Sequence, residues 1–531
     1  MQSIKSRVKE VFKICKRCQL TTRSNHSRCP FSEGDTPEMS TSELDYPERL
    51  SRTEHGSCNE EHHLDIPGPK SFPLIGTLYK YLPFVGSYDI RDQMGTDRKR
   101  FKEFGPLVRE RMFPGFTVYH VYDLDLIRHV YHQERNFPNR FPLPGLKAYR
   151  ELRKTGKGIA LSSGEEWWQQ RRSASDLMRS NYIANFYDEQ VRIADDFNRL
   201  FSASVDERGE VADTLPLCYR FALESIGNVL FGKRLGTLNP GLDRSSDAML
   251  LIDAVLGAME ALCHTTYFWP LHKNQRTKMW KKLCRSIDFI MEVGMKHAEQ
   301  LKGELEDGGP NTRVSYMKTI LSKPGLTTED ALILMTDVIF AGIESTGLVI
   351  LYNLYNLARN PDKQELFYQE IVRHAPAGEP LTQESVKKMA YVRAAMKESF
   401  RFTPIGVGNA RILTKDLHYK GYKIPKESLC LLNTTMACES PQYVSQHDQY
   451  IPERWLGSLD DKLHPYLILP FGLGGRSCLG RRLSMMEMQV ALIKLVRKYK
   501  FEYHHEDIGF VTKFGNTPDR PVKLAIKRRL P

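Results

Sequence analysis

The longest helical pattern in the sequence constrains the fold more than any other feature. It covers residues 331–358, is almost entirely apolar, and spans about 42 Å at 1.5 Å per residue. The chain contains no stretch of about 18 uncharged apolar residues, so a protein with several membrane-spanning helices is excluded. We therefore expect 331–358 to be a central helix that crosses a large folded domain.

The rest of the body is also mainly helical. Further helical patterns cover 164–180, 183–204, 213–231, 246–262, 276–305, 361–374, 382–401 and 481–499. Short strand-like pieces cluster at 106–121 and 408–434, the second with a turn-bounded hairpin piece at 421–425. Many helices with a small sheet of non-sequential strands predict an α+β, mainly α fold. No repeat or linker divides 66–531, so we expect one domain there, in which the irregular segment 435–475 is functional.

The amino terminus differs from this body in charge. Residues 1–32 hold eight basic residues and one acid, whereas 33–65 hold ten acids and two arginines. The first segment is also amphipathic at helical spacing and contains Ser and Thr, which predicts a mitochondrial transit segment; a disordered basic tail is the alternative. The acidic segment has few large apolar residues and is expected to be disordered or cleaved.

The charge of the body narrows the class of partner. The whole chain carries +12, and 1–32 and 33–65 nearly cancel, so the body itself is basic. A basic body suits an acidic partner or an anionic cofactor as well as nucleic acid. No zinc-finger, helix-turn-helix or aromatic-basic RNA-binding pattern accompanies the charge, so we expect no nucleic-acid partner.

The strongest local motif is a glycine-rich loop around one cysteine. It contains Phe471, Gly474, Arg476, Cys478 and Gly480 and directly precedes a helical pattern. The glycines let the backbone turn tightly around the thiol, and the amino end of a helix lowers a thiol pKa and supplies N–H groups to the sulfur. One cysteine held in this way suits a single axial bond to haem iron. The alternative is a buried structural cysteine in a turn.

At these residues the sequence resembles the cytochrome P-450 family of haem-thiolate monooxygenases, and the resemblance runs from Pro67 to the C terminus. It implies the P-450 fold, with a long central helix and small β-sheets, and a haem b group as cofactor. It further implies that Cys478 is the axial ligand of the haem iron. Arg476 is then expected to pair with a haem propionate, and Phe471 to belong to the haem-binding loop.

Two other segments resemble haem contacts of the family. Trp167 and Arg171, four residues apart on a helix, match its WxxxR motif and are expected to face a propionate. Trp168 and Arg172 have the same spacing, but the glycine before the two glutamates favours the first pair. Arg411 resembles a further propionate contact.

A structural triad of the family also has counterparts here. Glu398 and Arg401 share one face of a helix at i,i+3, a spacing that alone is usually a solvated surface ion pair. Followed by Arg454 in the sequence Pro-Glu-Arg-Trp, they resemble the family's Glu-Arg-Arg triad, which braces the loop under the haem. We interpret all three as structural.

The central helix contains the polar residues Glu344, Ser345 and Thr346. An acid flanked by apolar residues is costly to bury, so Glu344 needs a partner or a proton-related role. In the family, an acid–alcohol pair delivers protons during oxygen activation. Ser345 stands where threonine is usual and lacks the methyl group that restricts the rotamer, so Thr346 is a second candidate for the alcohol. The alternative is a polar interruption in a core helix.

The source of electrons depends on the branch of the family. Arg393 and Lys397, at i,i+4, match the two basic residues that mitochondrial members present to an acidic 2Fe–2S ferredoxin. An NADPH-dependent reductase supplies that ferredoxin with electrons. Lys494, Arg497 and Lys498 are expected to extend this basic surface. With the transit-like segment, the resemblance predicts a mitochondrial enzyme on the matrix side in peripheral contact with the inner membrane. A solvated helix face is the alternative for the pair.

Mitochondrial members hydroxylate sterols, steroids or secosteroids. Segments 78–88, 106–110 and 114–115 are similar to the arthropod hydroxylases of the ecdysteroid pathway that act at C-22, although they lie away from the expected substrate pocket. The alternatives are another steroid or secosteroid hydroxylase, a haem-binding sensor or carrier without catalysis, and a haem-thiolate isomerase or dehydratase. Neither a carrier nor an isomerase needs the acid–alcohol pair.

Overall fold

The long apolar helix extends in the structure from Thr328 to Arg359. A capping box closes its first turn: the Thr327 hydroxyl accepts from the Asp330 N–H at 3.1 Å, and the Asp330 carboxylate accepts from the Thr327 N–H at 2.9 Å. It ends before Pro361, because proline disfavours helical backbone at the preceding residue and cannot donate the next N–H. Local sequence therefore determines both ends of this helix.

The computed structural model describes residues 63–529 except 83, 135–136, 176–177, 268–271, 273–276, 307–314, 324–325, 407 and 458–461. A compact unit begins at Asp65. The predicted transit segment 1–32 and residues 33–62 of the acidic segment lie outside the described residues, so these two predictions stay predictions.

Helices dominate the described chain, as the sequence predicted. In chain order they are α1 Gln93–Phe104, α2 Leu124–Gln133, α3 Pro144–Arg153, α4 Gly158–Leu161, α5 Gly164–Ser175, α6 Ser180–Ala184, α7 Tyr187–Ala203, α8 Leu215–Phe231, α9 Asp247–Tyr267, α10 Lys278–Glu306, α11 Tyr316–Leu321, α12 Thr328–Arg359, α13 Pro361–His374, α14 Gln383–Lys388, α15 Ala390–Phe402, α16 Thr435–Cys438 and α17 Arg481–Lys498. Helices α9 and α12 are long and apolar enough to cross a membrane, but most of each is buried against other parts of the protein, as in a core helix.

The strands form small separate sheets. They are β1 Leu107–Phe113, β2 Phe116–Val121, β3 Glu210–Val211, β4 Asn409–Ile412, β5 Leu417–Tyr419, β6 Tyr422–Ile424, β7 Leu429–Leu432, β8 Tyr499–Glu502, β9 Phe510–Thr512, β10 Asn516–Pro518 and β11 Leu524–Arg528. The sheet orders are β1-β2-β7-β4, β3-β11-β8, β5-β6 and β9-β10. The two predicted strand regions thus combine in one sheet, where β2 and β7 run parallel from Val118 opposite Leu429. Strands β3 and β8–β11 were not predicted.

Helix α12 connects two apolar clusters. Its first half, 331–343, packs with α8, α9 and α10, and its second half, 348–358, packs with α7, α13, α15 and α17. The clusters meet at residues 344–347, where Gly347 allows the ring of Tyr219 to approach so closely that a Cβ would lie 2.5 Å from it. The polar residues of α12 therefore lie at the junction of two cores, in a mainly α, α+β fold as predicted.

Candidate active site

The glycine-rich loop folds back on itself before α17. The Cys478 N–H donates to Phe471 O at 2.7 Å, and the Gly472 N–H donates to Leu469 O at 3.0 Å. Gly472 and Gly474 have φ angles of 64° and 71°, in the left-handed region that glycine adopts without a Cβ clash. The glycines therefore fix where the chain turns, and the turn places Cys478 just before the amino end of α17.

The environment of the Cys478 thiol differs from that of the other cysteines. Five cysteines of the described chain are buried, and burial raises their pKa: Cys218, Cys263, Cys284, Cys430 and Cys438. Cys478 is exposed on one side but surrounded by protein on the others, so burial raises its pKa too. The N–H groups of Gly480 and Arg481 and the charges of Arg171 and Arg140 oppose that effect. These groups favour the thiolate.

Arg476 and Trp167 pack against each other near the exposed thiol. The surroundings of that thiol, with Trp167, Arg140, Arg171, Arg411 and Arg476, are called the cleft below. The Arg476 guanidinium donates to Pro138 O and Ser162 O, both at 2.8 Å, and lies 4.0 Å from the centre of the Trp167 ring. Trp167 is completely buried. Of the two possible Trp–Arg pairs, the structure brings Trp167 and Arg171 to the cleft. Trp168 is only half-buried and Arg172 is exposed.

Arg411 contacts the same cysteine loop. Its side chain is buried, pairs with Glu134, donates to Leu473 O of the cysteine loop at 3.2 Å, and stacks 4.9 Å from the centre of the Tyr131 ring. Sequence reasoning missed Arg140, whose charge acts on both Arg411 and Cys478. Arg140 lies in an irregular segment between α2 and α3, where no periodicity or motif could have identified it.

The three polar residues of α12 point in different directions. Glu344 is 6% exposed, and burial raises its pKa to about 7, opposed by the charge of Lys513. The Ser345 hydroxyl donates to Ala341 O at 2.6 Å, on the accessible side of the helix. The Thr346 hydroxyl donates to the carboxyl of Glu487 on α17 at 3.0 Å, inside the protein. The structure therefore separates the two candidate alcohols.

Glu398 is the centre of a fully buried ion network. Its two oxygens accept from Arg401 at 3.0 and 2.7 Å, from Arg454 at 3.2 Å, and from the Trp455 indole N–H at 2.8 Å. Both arginines also donate to backbone oxygens in the irregular segment, among them His447 O at 2.8 Å. The triad therefore ties α15 to the segment before the cysteine loop, and it is not a solvated surface pair.

Only some of the basic residues expected at the ferredoxin-binding surface are exposed. Lys397 is exposed, and Arg393 is half-buried and donates to Lys387 O at the end of α14 at 2.8 Å. Lys494 was expected to extend this surface, and that expectation is wrong: it is 8% exposed and pairs with Asp195 of α7 at 2.8 Å. The amphipathic pattern of α17 does not reveal that α7 covers this position.

A thiol in a glycine-rich loop, an arginine-lined cleft and a long central helix define a haem-thiolate protein. The family model for cytochrome P450 matches residues 66–522, and the chain belongs to that family.

The chain is similar to several known members. It is 29% identical over 515 residues to cytochrome P450 10 of Lymnaea stagnalis, covering 95% of this chain and 92% of that protein. It is 30% identical to the mitochondrial cytochrome P450 302a1 of Drosophila melanogaster, with 87% and 95% covered. It is 28% identical to the mitochondrial sterol 26-hydroxylase of Mus musculus, with 87% and 90% covered. The protein is a haem-thiolate monooxygenase.

The charges of the cleft fit haem. Burial and the repulsion of Arg140, Arg411 and Arg171 lower the pKa of Arg476 to about 9, while Glu134 opposes them. A group with two carboxylates, such as the propionates of haem, would neutralise this excess positive charge beside the accessible thiol. We assign the ligand role to Cys478 and the propionate contacts to the arginines on this basis, as a proposal.

Proposed function

We propose that the protein is a mitochondrial monooxygenase that inserts one atom of O2 into a sterol-like substrate, with electrons from an acidic 2Fe–2S ferredoxin. The observation that carries the proposal is the exposed Cys478 thiol beside an arginine-rich cleft, at the start of the helix that packs along α12. Haem, when bound, supplies the oxygen chemistry. The chain supplies the ligand, the counter-charges and the proton carriers.

The proton carriers in this proposal are Glu344 and Ser345. A carboxyl with a pKa of about 7 holds and releases protons near neutral pH, where an ordinary glutamate is fully ionised. The Ser345 hydroxyl lies on the accessible side of α12 and keeps a hydrogen bond to its own helix that it can exchange for another acceptor. Thr346 is held by Glu487 and is not part of the relay.

Two observations support the mitochondrial branch. Relatives of 28–30% identity are named mitochondrial, and Arg393 and Lys397 share one face of α15, where an acidic ferredoxin would dock. Peripheral contact with the inner membrane is supported by apolar side chains at two neighbouring turns: Phe72, Leu74, Phe84 and Val85 are 43%, 59%, 106% and 74% exposed.

The substrate class rests on the relatives' names, one of which is a sterol 26-hydroxylase. We place C-22 hydroxylation of an ecdysteroid precursor first among the candidates, because of the resemblance of 78–88 and 106–110. The test is a titration of the purified haem protein with a panel of sterols, followed by turnover with ferredoxin, reductase and NADPH. A Soret shift with one sterol class and a product heavier by one oxygen atom at C-22 supports the full proposal.

Other outcomes of this experiment identify the alternatives. Oxygen insertion at another carbon indicates a different steroid or secosteroid hydroxylase. A Soret shift with no product indicates a carrier. The absence of both a Soret shift and a product with every sterol would contradict the proposed substrate class.

A further inference from the structure

The C-terminal hairpin β9–β10 is fixed along one face of α12. The Tyr352 hydroxyl donates to Asn516 O at 2.6 Å, and its ring meets that of Phe510 edge to face, with centres 5.7 Å apart. A Cβ on Gly515 would lie 3.3 Å from Leu348 Cδ1, so the hairpin turn itself touches the helix. These contacts place the turn beside one defined stretch of α12.

Glu344 lies one turn of α12 before that stretch. Glu344, Leu348 and Tyr352 follow one another at intervals of four, so they form one stripe on the helix surface, and the hairpin contacts the second and third members. The first member, Glu344, lies one helical turn before Leu348, which the turn residue Gly515 approaches. Lys513, exposed at this turn, is the residue whose charge acts on the Glu344 carboxyl.

Within the described ranges, the other titratable groups that interact with Glu344 are two tyrosines and a cysteine, which carry no positive charge. Tyr219 faces it from α8, Cys263 from α9, and Tyr352 from its own helix; for each of them, burial and the Glu344 charge raise the pKa, so all stay neutral. Lys513 also acts on Glu260 of α9.

Glu260 does not compete strongly for that charge. It pairs with Lys282 at 2.6 Å and is already compensated. In the described part of the chain, Lys513 forms no hydrogen bond or ion pair with either carboxyl, so it acts on both through space. Of the two acids, Glu344 is the one without a hydrogen bond or ion pair there.

We propose that Lys513 is a positioning residue for proton delivery: the hairpin turn holds its ammonium group beside α12 and thereby determines how far Glu344 is ionised. The inference rests on the proposed role of Glu344. Since the lysine is on a hairpin and the acid on the central helix, displacement of the turn changes the proton occupancy of the carboxyl without touching it.

The test is an infrared titration of the haem-containing protein in four variants. The C=O band of protonated Glu344 is assigned by its absence in Glu344→Gln, and its midpoint is measured in the wild type, Lys513→Gln, Lys513→Arg and Lys523→Gln. A cation favours the carboxylate, so Lys513→Gln should move the midpoint upward by several tenths of a unit to about one pH unit. Lys513→Arg should keep the wild-type midpoint. Lys523 is exposed on the same C-terminal segment, and its change to Gln should have no effect.

An unchanged or lowered midpoint in Lys513→Gln overturns the proposal. So does an equal shift in Lys513→Arg, since the charge would then not be the cause, or in Lys523→Gln, since the effect would then not be local. The pH at which NADPH consumption becomes half coupled to product should shift upward with the band in Lys513→Gln. If the band shifts while Glu344→Gln stays fully coupled, the lysine controls the acid but the proposed proton-delivery function of Glu344 fails.

Discussion

The hydroxyl of Thr346 donates to Oε1 of Glu487 at 3.0 Å and thereby joins the central helix to the helix that follows the cysteine loop. Glu487 is 1% exposed and also accepts from the Ser225 hydroxyl. Ser345, one residue earlier, lies on the accessible side with its hydroxyl on Ala341 O. Two adjacent alcohols on one helix therefore have different surroundings, and we assign them different tasks.

The first prediction follows from this separation. Ser345→Ala should retain haem and substrate binding but lose product relative to NADPH consumed, because a placed proton donor typically contributes about 10²–10⁴-fold. Thr346→Ala should stay coupled and lose about 1 kcal/mol of unfolding free energy, since a buried hydrogen bond is removed. Product yield and urea denaturation measure the two effects. Full coupling in Ser345→Ala with uncoupling in Thr346→Ala would assign the alcohol role to Thr346.

The second prediction concerns the pH dependence of stability. Burial raises the pKa of Glu487 from 4.5 to about 7, so between these values the folded protein keeps a proton that the unfolded chain has lost. The contribution of this proton to the free energy of unfolding is therefore fully present below pH 4.5. It declines as the pH rises and is lost above pH 7. Relative to Glu487→Gln, the wild type should lose about 2.5 kcal/mol between pH 5 and pH 8 in urea denaturation.

The matched control for this prediction is Glu292→Gln, at an exposed carboxylate of α10. Its stability should follow the wild-type pH dependence. Parallel wild-type and Glu487→Gln curves would show that Glu487 does not titrate differently in the folded state.

The third prediction concerns the buried network of Glu398. Glu398→Ala leaves Arg401 and Arg454 buried without their carboxylate and should cost about 3–5 kcal/mol of unfolding free energy. Glu398→Gln, which keeps the shape, serves as a second variant if the alanine protein does not fold. Lys387→Ala, which removes an exposed ion pair with Glu384, should cause no measurable change. A loss in Glu398→Ala no larger than in the control would contradict a bracing role.

The fourth prediction tests the electron donor. Lys397→Gln should lower ferredoxin-supported turnover several-fold at low salt, and less at high salt, because charges beyond about 8 Å are screened at physiological ionic strength. Arg393→Gln should add to the effect, although Arg393 also caps α14. Peroxide-supported turnover should not change, nor should ferredoxin-supported turnover in Lys147→Gln, at an exposed lysine of α3.

An equal loss of peroxide-supported turnover in Lys397→Gln and Arg393→Gln would show that the Arg393–Lys397 pair has a structural role instead. Efficient turnover with a diflavin reductase, and none with ferredoxin, would place the protein outside the mitochondrial branch.

The sequence predicted features that depend on nearby residues. The central helix at 331–358, the tight turn of the glycine-rich loop and the i,i+3 pair Glu398–Arg401 each follow from spacing along a few residues. The mainly helical α+β class followed in the same way, from long periodic segments.

What the sequence did not predict depends on contacts between distant segments. Arg140 reaches the cleft from an irregular segment, Lys513 reaches the central helix from a hairpin, and α7 covers Lys494. Strands β8–β11 were missed because each is short and its register depends on a partner strand rather than on its own pattern.

The fifth prediction tests the central claim, that Cys478 is the axial thiolate ligand of a haem bound in this cleft. The measurement is the absorption spectrum of the reduced carbonyl complex of the wild type and three variants. The wild type, Cys430→Ala and Cys438→Ala should all show the Soret band of thiolate-ligated haem, because the last two thiols are buried elsewhere with a pKa of about 12. Cys478→Ala should lose that band. An unchanged band in Cys478→Ala would show that Cys478 is not the axial ligand of the haem iron.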